Sequence, residues 1–526
     1  MCGFMYCSDT SVSEKEFQTS FEKIAYRGPD MSKVIKNEHG YFGFHRLAIM
    51  GLDEHGMQPF ERDGSYVICN GELYGFRKLK KELENDYTFI SGSDCELLLP
   101  MYETYGTAMF NKLDAEFACV LYDAKHDSLI AARDPFGIRA MFYGYHKESK
   151  AIMFASEAKA LVDLCDQIFP FPPGYFYQDG VFTCYHDVSQ SSNFINKDID
   201  VICKDIHDLL VDGIKKRMDA DAPVGYLLSG GLDSSIVCSV ASKLSDKPIR
   251  TFAIGMSEDA IDLKYAKEVA DYIGSDHTEV VITKEDVLTI LPKVVEVLET
   301  WDITTIRASI GMYLLCQWIH EHTDIKVLFT GEISDELLGY KYTDFAPNAT
   351  EFQKEAQKRV KELYMYDVLR ADRCISSNSL EGRVPFGDLK FADYIMSICP
   401  EIKMNTYNMG KYLLRKAFEG DTLPDSILYR DKAAFSDAVG HSLVDYIKEY
   451  AQTLYTDEEF TRKCKQYTHC PPYTKESLYY RELFDQHYHG HDALICGYWL
   501  PNQTWSGCKV DDPSARVLSN YGNSGV

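Results

Sequence analysis

The stretch Leu227-Leu228-Ser229-Gly230-Gly231-Leu232-Asp233-Ser234-Ser235 has the make-up of an anion trap. A β-favouring run, Val224 to Leu228, precedes it and a helix-like run, Ser235 to Leu244, follows. Paired glycines let the backbone approach a ligand closely. Consecutive N–H groups and the positive end of a helix then face a phosphate. The loop lacks the Gly-x-x-x-x-Gly-Lys-Ser/Thr pattern of the Walker type. Asp233 would repel bare phosphate and makes better sense holding Mg²⁺ on a pyrophosphate. A tight strand–helix turn with a capping serine also uses Ser-Gly-Gly; the Asp-Ser-Ser that follows favours the phosphate reading. The second landmark is Cys2. Removal of Met1 would leave Cys2 with a free α-amine, whose reference pKa is ~7.7–8.0. That puts a base beside a thiol, one of the known ways to activate a nucleophile.

The loop resembles the pyrophosphate loop of the ATP pyrophosphatases, which split ATP to AMP and pyrophosphate and so activate a carboxyl or carbonyl group as an adenylate. A cysteine in second position is ordinarily incidental, but the residues after it change that. Tyr26-Arg27-Gly28-Pro29-Asp30, His45-Arg46-Leu47-Ala48-Ile49 and Asn70-Gly71-Glu72-Leu73-Tyr74 follow in order. Gly92-Ser93-Asp94-Cys95-Glu96 and Ala132-Arg133-Asp134-Pro135-Phe136-Gly137 come next. Together they resemble the class II glutamine amidotransferases, whose N-terminal cysteine hydrolyses glutamine. The residue types suit that ligand. Arg46, with Leu47 and Ile49 beside it, can fork onto the α-carboxylate. Glu72 and Asp94 can hold the α-ammonium. The Asn70 amide and the Gly71 N–H can point at the oxyanion formed when the Cys2 thiolate attacks, and the resemblance assigns them that role.

Further on, Thr330-Gly331-Glu332-Ile333-Ser334-Asp335-Glu336 sets carboxylates after a strand. Asp335 can share Mg²⁺ with Asp233, and Glu332 can act as a base or orienting group; a helix start with acids near its positive end has the same composition. Lys432 is a candidate for neutralising the α-phosphate, although a lone lysine is more often a solvated charge. Trp301 to Ser309, Met312-Tyr313-Leu314, Ala346-Pro347-Asn348, Glu381 to Phe386 and Phe435-Ser436-Asp437 extend the pattern. Across essentially its whole length, to Asp511-Asp512-Pro513-Ser514, the chain resembles the glutamine-hydrolysing asparagine synthetases. That resemblance implies glutamine, aspartate and ATP as substrates, with Mg²⁺ and an apolar ammonia tunnel between two sites. It puts Leu228 and Ile254 beside adenosine, and Ser229, Gly230, Gly231, Asp233 and Ser234 on pyrophosphate, with Thr330 and Gly331 on the same nucleotide. Thr304, Thr305 and Arg307 fall near the aspartate, and Glu332 serves the adenylate step. Two departures stand out. The family usually has glycine where this chain has Ile333, and two glycines where it has only Gly339. An isoleucine does not take positive φ cheaply, so the loop is expected to have another shape, or the site to be altered. Three rivals follow: another acceptor carboxylate, a glutaminase with a disabled synthetase site, or a non-catalytic metabolite sensor.

The elements that must position these residues are legible in outline. Runs 64–70, 116–123, 128–133 and 139–145 read as strands between Gly, Asp and Pro turns, and 75–84 and 94–105 as helices. The resemblance implies that they form an αββα sandwich of the N-terminal-nucleophile type. Polar residues near 185–200 mark a linker, which divides the chain into a glutaminase domain, 1–190, and a synthetase domain, 200–526. A helix carries Ile202, Ile206, Leu209, Leu210 and Ile214 at helical spacing. Strands at 224–228, 249–254, 278–282 and 326–330 then alternate with helices at 235–244, 262–273, 284–298 and 308–321. Such alternation predicts a parallel α/β sheet with ligands at the carboxyl ends of its strands; a helical part follows it.

With 526 residues the chain is too long for one ordinary core. A net charge of −25 argues against nucleic acid or an acidic membrane as partner. No apolar run reaches the ~18 residues of a membrane helix, and Met1-Cys2-Gly3-Phe4 opens no secretory signal. The sixteen cysteines include no Cys-x-x-Cys pair, which suits reduced thiols in a cytoplasmic enzyme. The oligomeric state, a homodimer among the options, has no mark in the sequence.

Overall fold

The computed structural model describes residues 1–191, 193–256, 260–431, 439 and 441–521. Its first part is built on two six-stranded antiparallel sheets. One has the order β10 (Cys165–Pro170), β8 (Phe142–His146), β9 (Ile152–Ala155), β1 (Gly3–Cys7), β3 (Gly40–Arg46), β2 (Met31–Asn37). The other runs β12 (Val181–Cys184), β11 (Tyr175–Gln178), β7 (Ser128–Arg133), β6 (Ala115–Asp123), β5 (Ser65–Leu73), β4 (Phe60–Arg62).

Alternation along each strand decides which layer a side chain enters. Phe4 and Tyr6 of β1 join Phe42, Ile68, Val120 and Phe154 in a core between the sheets. Met5 and Cys7, on the other side of β1, pack with Phe17 and Phe21 of helix α1 (Glu14–Glu22). On the outer face of the second sheet, Val67 and Cys69 meet helices α2 (Phe76–Leu83) and α3 (Leu98–Tyr105). The layers are therefore helix, sheet, sheet, helix.

Helix α4 (Ile199–Arg217) leads into a five-stranded parallel sheet. Its order is β15 (Asp276–Ile282), β14 (Arg250–Met256), β13 (Val224–Leu227), β16 (Val327–Phe329), β17 (Glu381–Arg383). Helices cover both faces. α4, α5 (Leu232–Leu244) and α6 (Ile261–Ile273) pack on one, and α7 (Lys284–Leu298) and α8 (Ile303–His322) on the other. The chain builds outward from β13 to β15, then returns to the other side of β13 with β16. Ligands in such sheets bind at the strand ends where the order reverses. Here that point is the gap between the ends of β13 and β16, which carry Ser229 and Thr330.

The two parts meet through buried charge. Arg27 pairs with Glu157 at 2.6 Å and with Asp372 at 3.0 Å, all three buried. Asp372 lies on helix α11 (Asp367–Ser376), where its neighbour Arg373 pairs with Glu299 at 2.7 Å. A second cluster joins Arg383 to Glu72 at 3.0 Å, and Arg217 to Glu116 at 2.9 Å.

Candidate active sites

At the first site, Cys2 lies immediately before β1, and β3 runs antiparallel beside that strand, with Gly3 opposite His45. The Leu47 N–H donates to the Cys2 sulfur at 3.4 Å, and Arg27 Nε donates to the Cys2 carbonyl at 2.9 Å. Met1 is buried, and its ammonium donates to Leu380 O at 2.8 Å. Burial pulls that ammonium down to about 5 and pushes the Cys2 thiol up to about 11. With Met1 in place the thiol is therefore held neutral.

Asn70, Gly71 and Glu72 lie at the end of β5. Gly71 is required by close packing, because a Cβ there would come within 2.7 Å of Glu116 O and Phe117. Asn70 is buried and its Nδ2 donor has no partner among the described residues. Buried donors are rarely left unsatisfied, and an oxyanion would complete this one. Glu72 pairs with Arg383, and Asp94 accepts from the Leu73 N–H at 2.7 Å. Burial pushes both carboxyls up. Arg46 donates to the carbonyls of Met50, Gly51 and Asp53, so only the rest of its fork is available to a carboxylate. Leu47 and Ile49 are buried, and the Ile49 carbonyl receives the N–H groups of Asp221 and Ala222 at 3.2 Å.

The second site is a cavity of about 310 Å³ at the reversal point of the parallel sheet. The Ser229–Ser234 loop forms its floor. Gly230 has φ +69°, and a Cβ there would come within 2.5 Å of Ala266 N. The two serines brace the turn, with Oγ atoms 3.0 Å apart. Gly231 caps α5, and Leu232, Asp233 and Ser234 of its first turn line the cavity. Leu228 and Ile254 line the same cavity, as do Thr330 and Gly331. Gly331 lies against the loop, where a Cβ would come within 2.9 Å of Ser234 N.

Asp233 and Asp335 converge on one point, the ammonium of Lys411, at 2.8 and 2.5 Å. Ser334 Oγ bonds both Asp233, at 2.8 Å, and Lys411, at 2.9 Å. Among the described residues no three His, Cys, Asp or Glu side chains gather as a metal cage. Two carboxylates beside a phosphate loop nevertheless fit Mg²⁺, which takes one or two protein carboxylates plus phosphate oxygens. Glu332 accepts from Arg370 Nη2 at 2.6 Å. Burial raises its carboxyl, against the lowering pull of Arg370.

Ile333 corrects the expectation for the loop. It takes the left-handed conformation itself, φ +79° and ψ −21°, and its side chain is buried. Gly387 makes room for it: a Cβ at 387 would meet Ile333 Cδ1 at 3.0 Å and Ile138 Cδ1 at 2.9 Å. The loop thus keeps a glycine-type turn, and tertiary packing holds the strain. A second correction concerns the helix that carries the candidate aspartate residues. Helix α8 starts at Ile303, not 308, so Thr304, Thr305 and Arg307 sit in its first turns. Thr305 is used to cap the helix on Asp302, and the Arg307 fork is engaged by Glu476 at 2.6 Å and Asp512 at 2.8 Å. Thr304 and Arg307 do line the cavity. Lys432 lies outside the described residues. Lys411 and Arg370 were missed, since a single basic residue on a helix or after a glycine carries no local mark.

Comparison with known proteins gives two family matches. The asparagine synthase model matches residues 205–349 and 341–506, and the glutamine amidotransferase domain model residues 1–171. A protein of Acanthamoeba polyphaga mimivirus described as a probable asparagine synthetase [glutamine-hydrolyzing] is 38% identical, over 98% of this chain and 100% of its own. One from Dictyostelium discoideum with the same description is 37% identical over 98% of each chain. The Homo sapiens asparagine synthetase [glutamine-hydrolyzing] is 37% identical over 99% of each.

Proposed function

Because the chain belongs to the glutamine-hydrolysing asparagine synthetases, we propose that it amidates aspartate to asparagine with glutamine nitrogen and ATP, as a two-site carbon–nitrogen ligase. In this reading residues 1–190 form the glutaminase and 200–526 the synthetase. With Met1 removed, the α-amine of Cys2 takes the thiol proton and the sulfur attacks the glutamine amide carbon. The orphan Asn70 donor supports its role, with Gly71, in receiving the oxyanion. Ammonia leaves as the thioester forms, and water then releases glutamate. Arg46, Leu47, Ile49, Glu72 and Asp94 hold the amino-acid end.

At the second site the Ser229–Ser234 loop, Thr330 and Gly331 hold the polyphosphate, and Leu228 and Ile254 flank the adenosine. Asp233 and Asp335 would hold Mg²⁺, which when bound neutralises the departing pyrophosphate. An aspartate side-chain oxygen attacks the α-phosphorus and gives β-aspartyl-AMP. Glu332, held by Arg370, serves the adenylate step by orienting the reacting groups; ammonia then displaces AMP and loses a proton to give asparagine. Lys432 remains our candidate for the α-phosphate. Ammonia that met water would be protonated and useless as a nucleophile. A continuous apolar cluster reaches from Leu47 and Cys69, near Cys2, to Ile333 beside Glu332, so a route between the sites would run through apolar surroundings.

The observation that carries the reading is that the Ser-Gly-Gly loop, Asp233, Asp335 and Glu332 line one cavity. The rival of a disabled synthetase rested on the altered 331–340 loop; the glycine-type turn at Ile333, with Glu332 and Asp335 still on the cavity wall, favours the active reading. A mass-resolved assay with amide-¹⁵N glutamine, ATP and aspartate tests the proposal. Asparagine heavier by one unit should appear together with AMP and pyrophosphate. Labelled ammonia without AMP would sink it.

A further inference from the structure

The C-terminal stretch from Tyr498 to Tyr521 has little regular structure beyond the short turn Ala515–Val517, yet it is tied to the rim of the synthetase cavity at three places. First, Trp499 N–H donates to Asp302 at 2.7 Å and Thr304 Oγ1 donates to Trp499 O at 3.3 Å. Beside them Arg359 donates to Leu500 O at 2.6 Å and lies 4.8 Å over the Trp499 ring. Second, Arg307 Nη1 donates to Asp512 at 2.8 Å and to Ser514 Oγ at 2.9 Å, and Lys448 donates to the other Asp512 oxygen. Third, Lys341 donates to Asn520 O at 3.2 Å. Between the first two ties Trp505 and Cys508 pack against Tyr342. The stretch in turn gives Trp499, Pro513, Ser514 and Ala515 to the cavity lining.

These contacts occupy the residues that a sequence reading would give to the acceptor. Of the two carboxylates on Arg307, Glu476 is 4% exposed and grips the fork with both oxygens. Asp512 is 18% exposed and belongs to the irregular stretch. Resting on the functional reading above, we propose that residues 498–521 are a wall of the acceptor end of the cavity. Arg307 and Asp512 are then positioning residues that set this wall, and Arg307 does not itself read the acceptor carboxylate. A small amino acid entering beside Glu332 meets the Pro513–Ala515 surface. Its fit depends on that surface being drawn in by the ion pair.

The test uses the full-length enzyme with Asp512→Asn, Asp512→Ala and Asp512→Glu. Ammonia-dependent synthesis is titrated with aspartate and separately with ATP, and glutamine hydrolysis is followed alone. Losing the charge should raise KM for aspartate about tenfold, leaving KM for ATP and glutamine hydrolysis near wild type, and Asp512→Glu should restore most of the loss. An unchanged KM for aspartate in Asp512→Ala overturns the proposal, as does a parallel fall in all activities. Tryptic cleavage after the exposed Lys509 gives a readout on the wild-type chain. Aspartate plus a non-hydrolysable ATP analogue should slow cleavage there, and an unaltered rate overturns the wall. Wild-type enzyme that makes no asparagine fails the functional reading instead, and the protease experiment then judges the wall by itself.

Discussion

At the scale of single residues, buried groups that lack a partner or an ordinary pKa mark the chemistry. Asn70 Nδ2 is a donor without an acceptor among the described residues, in a region where burial makes that costly. Asn70→Ala should lower kcat for glutamine hydrolysis by ~10²–10³, the usual loss for one oxyanion donor. Ammonia-dependent synthesis should be unchanged, and parallel steady-state assays would show it. Glu332 is raised by burial despite Arg370. Its ionised form is therefore lost at a higher pH than for an ordinary glutamate. If that form is needed, aspartate-dependent exchange of pyrophosphate into ATP should fall as pH drops through the raised pKa. Glu332→Gln should lack this acid limb and be slower at every pH. Exchange needs no ammonia, so the protonation of ammonia does not blur the profile; identical profiles would reject the role.

At the scale of elements, packing decides what local preference alone would refuse. Ile333 is a β-branched residue at φ +79°, which costs about 1–3 kcal/mol. Ile333→Gly relieves that cost but leaves a cavity beside Gly387 and Ile138. Truncating a buried aliphatic side chain usually costs ~2–5 kcal/mol. The net loss here should fall short of that range in urea titrations, with synthesis retained. This element also shows where sequence reading reaches its limit. Strands β13 to β16 were legible because apolar runs alternate with helical periods and turn residues punctuate them. β17 was not, since Glu381–Arg383 is short and carries charges whose burial depends in part on Glu72, far along the chain. The sign of φ at Ile333 was misread because glycine preference is local, whereas the pocket at Gly387 that holds the side chain is not. Similarly, the partners of Thr-Thr-x-Arg had no mark in the sequence: Asp302 binds Thr305, and Glu476 and Asp512 bind Arg307, while Thr304 and Arg307 stay on the cavity wall. Lys411 was invisible because its partners Asp233 and Asp335 are remote in sequence.

At the scale of the molecule, buried ion pairs join the two catalytic halves. Arg27 grips the Cys2 carbonyl and also Asp372 on α11, the helix that carries Arg370 to Glu332. Removing one partner of such a pair strands the other charge in a dry setting. Asp372→Ala should therefore cost ~3–5 kcal/mol of stability. Asp219→Ala, which breaks the half-exposed pair with Arg77, should cost only ~0–1 kcal/mol. Urea midpoints of the two variants provide the comparison; equal losses would deny the buried junction its weight.

The ammonium of Lys411, seated between Asp233 and Asp335, gives the nucleotide pocket a cation of its own. Folding then has no need of a divalent ion, unlike small domains that unfold when their metal is taken away. Dialysis against a chelator should silence synthesis yet leave the melting temperature where it was. When metal and nucleotide arrive, they must displace a resident positive charge, so loading is a swap of cations.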